Sequence, residues 1–305
     1  MAYPNDYYET LVKASSAVTQ TLKLPNMFME SVFTQFSSNW AGALGQSMTI
    51  NVPVVNVSNA SDETNAGVTG VAPTDTTVSL TMSHKYGSNR KIPLYEQTLS
   101  AGDLATIYLG PVIEETLRKL DSSMCADITT GNFNSYTSIT GGADVFTRAH
   151  LGTAWGNLRA AGVPVNTPDN NFFLSHSLVI GNMMGTSDFS QESVVGINTA
   201  ELTQKRALIV NQFNFQVIDD PYCPVNAGAY SALAYNRSAY GLRIAVPPLL
   251  RTENLVQTLV MARPNVPVVV ESWFEPKDQA RYIHAFIICG HGVTRKDLAQ
   301  FLVST

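Results

Sequence analysis

Two runs, Ser47-Met48-Thr49-Ile50-Asn51-Val52-Pro53-Val54 and Thr77-Val78-Ser79-Leu80-Thr81-Met82-Ser83, decide how this chain is read. In the first, Met48, Ile50, Val52 and Val54 alternate with Thr49, Asn51 and Pro53. In the second, Val78, Leu80 and Met82 alternate with hydroxyl residues. Successive side chains of an extended backbone point to opposite sides, so period-two alternation marks a strand with one apolar and one polar face. Between the runs, Ser58 to Asp75 is rich in Asn, Gly, Thr, Ser and Asp; it holds Asp62, Glu63 and Asp75 and no Lys or Arg. The pattern predicts a long two-stranded ribbon with a wide acidic tip. Ten paired residues per strand would reach about 33 Å. An isolated hairpin is marginal in water, so the ribbon is expected to lay its apolar face on something else. Candidates for contact between subunits are therefore Asp62, Glu63 and Asp75 at the tip and Val78, Leu80 and Met82 on the apolar face.

Outward from the ribbon, residues 1–46 read as an extended arm with a short helical stretch, broken at Pro4 and Pro25 and closed by Gly42 and Gly45. After the ribbon a helix is expected, capped by Ser100 with Asp103 in its first turn. Its buried face is Leu104, Ile107 and Tyr108, then Val112, Leu117, Leu120 and Met124, with a kink or restart at Pro111. A second helix is expected over 144–161, with the stripe Leu151, Ala154, Trp155 and Leu158. Gly162 sits at its left-handed terminal position and Pro164 just beyond. Phe172 to Leu174 reads as a short strand, Asn182 to Ala200 as loops, and Ala207 to Ile218 as a strand ending in the turn Asp219-Asp220-Pro221. Val266 to Phe274 and Tyr282 to Cys289 form a strong hairpin around Glu275 to Gln279. Thr294 with Asp297 resembles a capping box opening a helix to Leu302. The fold class is α+β.

Composition limits the function. Of 305 residues, 45% are hydrophobic but only 14% are charged, and the polar share comes from 75 Asn, Ser and Thr residues. Soluble domains average about 25% charged residues. A chain this poor in charge is expected to hide much of its surface against other chains. The net charge of −5 argues against gripping nucleic acid by phosphate neutralisation, which needs clustered Lys and Arg. Cys125, Cys223 and Cys289 are far apart and form no CxxC, so neither a disulfide framework nor a zinc site is expected. No apolar run approaches the roughly 20 residues of a membrane span, and no secretory signal is read at the N-terminus.

Catalytic chemistry finds little footing. GxSxG, the phosphate-binding loop and HExxH are absent. Gly290-His291-Gly292 lacks the third glycine of a dinucleotide fingerprint. His284 and His291 could share a site with Glu271 across the last hairpin, against a plainer reading as ordinary strand and loop histidines. Ser175-His176 follows a strand, where a helix cap explains the serine as well as a nucleophile does. Glu114 and Glu115 precede Arg118 and Lys119 by four residues, the spacing of helix ion pairs. No cofactor, metal or catalytic residue is expected.

The order of elements resembles that of the major capsid proteins of tailed double-stranded-DNA phages (Caudovirales-type), the Hong Kong 97-type shell fold. The resemblance runs from the strand at Gln46 to Val54, through the returning Thr77 to Lys85 and the opening of a long helix at Leu99, Ser100, Asp103 and Leu104. It continues through the helix before Gly162-Val163-Pro164, the segment Ala232 to Leu242, and Tyr282 to Arg295. It implies an N-terminal arm (1–46), an extended loop lying over a neighbour (47–95), a peripheral domain with a spine helix (96–140 and 262–305), and an axial domain (141–261). It further implies a non-enzymatic structural protein that self-assembles into homo-hexamers and homo-pentamers of an icosahedral head. Such a head encloses double-stranded DNA without sequence-specific binding and is assembled in the bacterial host cytoplasm as part of the virion. Implied partners are a separate scaffolding protein, a portal and a decoration protein, with no membrane. The tip holds no lysine, so covalent cross-linking through it is not expected. Two alternatives stay open: an encapsulin-like nanocompartment shell, and an ordinary α+β hydrolase or ligand-binding protein.

Overall fold

The computed structural model describes residues 11–14, 28–37, 47–52, 76–93, 104–129, 131–133, 136–139, 146–163, 170–185, 213–223, 225–226, 229–250, 255–262 and 266–304. The chain is α+β and divides into two compact units. One draws on 1–46, 81–127 and 242–292, the other on 47–80, 128–241 and 293–305. No helix among the described residues is long and apolar enough to cross a membrane.

The first unit is built on a six-stranded sheet. Its strands are β1 (Phe33–Ser37), β4 (His84–Pro93), β10 (Tyr240–Ala245), β11 (Leu255–Ala262), β12 (Val266–Glu275) and β13 (Ala280–Val293), in the order β1-β10-β13-β12-β11 with β4 also paired to β13. The expected hairpin is β12–β13, and its antiparallel register matches Val270 with Ala285 and Trp273 with Tyr282. Runs rich in Val, Ile and aromatics favour this pleated, buried setting. On one face Tyr86, Ser88 and Arg90 of β4 meet helix α1 (Gly110–Ala126). There the Tyr86 hydroxyl lies 2.6 Å from Ser123 Oγ, Ser88 donates to Glu115 at 2.6 Å, and Arg90 pairs with Glu115 at 3.6 Å. The other face carries an aromatic row, with Trp273 stacked on Tyr282 at 5.4 Å and His284 on Phe286 at 5.4 Å.

Helix α1 shows the expected restart. Residues Leu104–Leu109 form a wide π-type turn that passes into α1 at Gly110, with Pro111 in the first turn. Proline lacks the N–H that would reach back four residues, so a break at this point costs little. The expected stripe holds for Val112, Leu117, Leu120 and Met124, all fully buried. Ile107 departs from it: it is 56% exposed, while Leu109 is buried. A π-type turn advances less per residue than an α-helix, so a 3.6-residue stripe loses register across it. The helix also holds the segment before β1, where Asp121 accepts a hydrogen bond from the Met29 amide at 3.1 Å. The expected Glu114–Arg118 pair is present at 3.7 Å.

The second unit is organised on β5 (Tyr136–Ile139), β6 (Asn171–Ser175), β7 (Gln216–Asp219), β8 (Val225–Asn226), β9 (Ala229–Asn236) and β14 (Ala299–Ser304). The order is β5-β14-β9-β6-β7, with β8 paired to β9. Helix α2 (Arg148–Ala160) buries Leu151, Ala154 and Leu158. Trp155 is only half-buried, with Arg159 over its ring at 5.2 Å. Gly162 takes φ 84°, the left-handed geometry expected of a helix terminus.

Two expectations are corrected here. The helix expected over 294–302 is a single 3-10 turn, Lys296–Leu298, followed by strand β14. This strand pairs with β5 on one side and β9 on the other. Ala299 to Leu302 are all buried, so both faces of the strand are covered. Such a run lacks the alternation that separates strand from helix. Strand β14 lies in the second sheet, and residues 293–305 group with the second unit. Residues 182–185, expected as loop, end helix α3 (Ser177–Gly185). Within 47–95 the chain turns at 82–83, and β4 pairs with β13 from Pro93 to His84.

Candidate functional site

The ribbon is present as β2 (Ser47–Val52) and β3 (Thr76–Thr81), which form a two-stranded sheet of their own. Six residues per strand correspond to about 20 Å of ribbon. Asp62, Glu63 and Asp75 lie outside the described residues. Val78 is half-buried, whereas Leu80 is 5% exposed and Met82 is fully buried within the single chain. The apolar face is therefore already covered at the foot of the ribbon.

That foot is tightly built. The chain reverses with Ser83 N–H donating to the Thr81 carbonyl at 2.9 Å. Gly290 of β13 packs against the same carbonyl: a Cβ at residue 290 would fall 2.3 Å from Thr81 O and 3.2 Å from Met82 N. Only glycine permits backbones to approach so closely.

Directly after the bend, a polar cluster fills the space between β4, β13 and the end of α1. The imidazoles of His84 and His291 stack with centroids 5.0 Å apart and planes within 16°. His291 Nδ1 lies 3.1 Å from Asp127 Oδ2, and its Nε2 lies 3.3 Å from both Tyr86 Oη and Ser123 Oγ. Burial, then the neighbouring His291, holds the His84 pKa below the ordinary imidazole value. Burial raises that of the Tyr86 phenol.

The other candidates are placed as follows. Glu271 and His284 face each other in register and bond at 2.6 Å, and Gln257 of β11 donates to Glu271 at 2.9 Å. His291 does not join them. It stands seven residues further along β13, an odd number, which puts it on the opposite face of the strand. Ser175 is buried in β6 and donates to the Ser231 carbonyl at 3.3 Å. Its neighbour His176 caps α3 by accepting from the Leu178 amide at 3.1 Å. Asp220 accepts from the Tyr222 amide at 2.8 Å, the expected turn chemistry. The three cysteines are buried thiols outside any disulfide, and burial pushes Cys289 up to about 12. The His84–His291 cluster was not anticipated. The nearest available signal is the odd spacing of His284 and His291 on one strand.

No family model and no curated relative matches the chain. Solved structures do match. The capsid of Ralstonia phage GP4 is 11% identical with a TM-score of 0.61, covering 92% of this chain and 91% of that one. The capsid of Cyanophage P-SCSP1u is 14% identical with a TM-score of 0.57, covering 92% and 88%. A third, from the acid-stable capsid of Helicobacter pylori bacteriophage KHP30, is 11% identical with a TM-score of 0.54 and covers 92% of each chain. The chain has the Hong Kong 97-type capsid fold. The resemblance read from the sequence rests on the two-stranded ribbon, the long helix α1, helix α2, the segment Ala232 to Leu242 and strand β13.

Proposed function

We propose that this protein is the major shell subunit of a tailed-phage head, assembling as hexamers and pentamers of an icosahedral capsid that encloses double-stranded DNA. The observation that carries the reading is the ribbon: β2 and β3 pair only with each other among the described residues, on a chain with a capsid fold. A two-stranded ribbon is marginally stable alone. A closed symmetric shell supplies a neighbouring surface for it at every position. In this reading 1–46 is the arm, 47–95 the extended loop with its foot at 81–84, 96–140 and 262–305 the main parts of the peripheral domain, and 141–261 that of the axial domain. The tip acids Asp62, Glu63 and Asp75, together with Val78, are the proposed contacts with a neighbour.

The charge supports a container. A net −5 per subunit does not favour tight binding to phosphates, yet it permits enclosing them. The role is structural and non-enzymatic, the site of action is the virion after assembly in the host cytoplasm, and a separate scaffold, a portal and a decoration protein are the proposed partners.

The test is negative-stain electron microscopy of the purified protein beside a variant lacking residues 58–75. The full chain should give closed particles, and the deletion should give folded subunits that assemble poorly. Normal particles from the deletion would overturn the role of the loop, and the absence of any large assembly from the full chain would overturn the shell reading. Nucleic acid, rather than cargo protein, in particles from the native source separates a phage head from a nanocompartment.

A further inference from the structure

We propose that His84 and His291 form a pH-sensitive latch on the bend joining β3 to β4, closed at neutral pH and released in acid. The inference concerns one subunit and stands independently of the shell reading. Its basis is the placement of the pair. His84 is the first residue of β4, immediately after the bend at 82–83, and pairs in register with Cys289. One residue beyond Cys289, Gly290 presses on the Thr81 carbonyl. The same short stretch of β13 thus holds the bend from two directions: backbone on backbone at Gly290, and ring on ring at His291.

The groups facing the pair decide how it responds to protons. From the end of α1 come Asp127 and Ser123, from β4 Tyr86, and from β13 the neutral thiol of Cys289. Lys85 points away, over the Phe286 ring at 4.2 Å. Asp127 is bonded to His291 at 3.1 Å. His84 has no hydrogen-bonded carboxylate among the described residues and stacks 5.0 Å from His291. With both rings protonated, two like charges would lie face to face in a partly desolvated site, which disfavours the stacked arrangement. The direction follows from linkage. A folded-state pKa below the ordinary value of about 6.5 means that the opened form binds the proton more readily. The latch is therefore at full strength above about pH 6.5 and weakens as pH falls below that value toward the depressed folded pKa.

Hydrogen exchange on the full-length protein tests this, with amide protection of residues 81–86 and 289–292 measured at pH 7.5 and pH 5.0 and corrected for intrinsic exchange. Wild type should lose at least about tenfold protection in these two segments at pH 5.0, while Ile283 to Ile288 change little. His84→Phe keeps a stacking ring that cannot titrate and should hold its protection at both pH values. His84→Gln, which removes the titrating ring and keeps a polar side chain, should do the same if His84→Phe folds poorly. Unchanged protection in wild type, an equal loss in a folded non-titrating variant, or a His84 ring titrating by NMR at or above the ordinary value would each overturn the proposal.

Discussion

The contact between Gly290 and Thr81 yields the sharpest prediction about how the fold is held. A Cβ on Gly290 would sit 2.3 Å from the Thr81 carbonyl oxygen and 2.8 Å from its carbon. Non-bonded heavy atoms rest at about 3.5 Å or more, so the two backbones must part by roughly 1 Å. Both are backbone, and neither can swing aside as a flexible side chain could. Overpacking of this kind costs about 1–3 kcal/mol, and the rigid contact places Gly290→Ala at the upper end. The reduced freedom of the unfolded chain returns about 0.4–1 kcal/mol, leaving a net loss of about 2–3 kcal/mol. At about 2–4 °C per kcal/mol for units of this size, the first melting transition should fall by about 4–12 °C. Gly156 supplies the internal comparison. It lies in the middle of α2 with nothing within 4 Å of an added Cβ. Gly156→Ala should therefore stabilise by up to about 1 kcal/mol, because alanine is the better helix former. Calorimetry of the two variants beside wild type reads both signs. A Gly290→Ala protein that melts at or above wild type, or two variants shifting in the same direction, would refute the close-approach argument.

Two further outcomes are expected. Thr116 Oγ is shared between the Val112 carbonyl at 2.8 Å and the Ala285 carbonyl at 3.1 Å, tying α1 to β13; Thr116→Val keeps the shape, removes the donor and should cost about 1 kcal/mol in a thermal melt. With its pKa pushed up to about 12, Cys289 should not react with Ellman's reagent at pH 8 in the native state, and all three thiols should react once urea unfolds the chain, so a fast native-state thiol at this position would contradict its burial.

Elements marked by alternation or by β-branched and aromatic runs were legible in the sequence. Alternation located β2 and β3, and the β-branched and aromatic runs located β12 and β13 to within a few residues. Strand β14 and helix α3 were not. Strand β14 carries apolar side chains toward both faces, and its local Thr294/Asp297 pattern imitated a helix start. In the structure Thr294 instead donates to the Ser238 carbonyl at 2.5 Å, and Asp297 pairs with Arg295. Helix α3 was hidden by Gly181 and Gly185, which lower local propensity, while packing of Val179, Ile180 and Met183 overrides it. The histidine cluster was out of reach for another reason: Tyr86 and His291 are 205 residues apart and meet only through the β4–β13 register.

That register also divides the ribbon's apolar face into two functions. Leu80 and Met82 are buried in the isolated subunit, so truncating either removes packing that one chain needs by itself. Large-to-small changes at such positions cost about 2–5 kcal/mol and act on folding before they act on assembly. Val78, one step further from the bend, is only half-buried, and the acidic residues lie beyond it in the sequence. A ribbon gripped at its foot within one chain loses less freedom when its far end meets a neighbour, because the anchored residues are already ordered. Losses from Leu80→Ala should therefore appear in the melting temperature of the subunit. Losses from neutralising Asp62 and Glu63 should appear only in the stability of particles, and this separation distinguishes a contact that folds the chain from one that joins two chains.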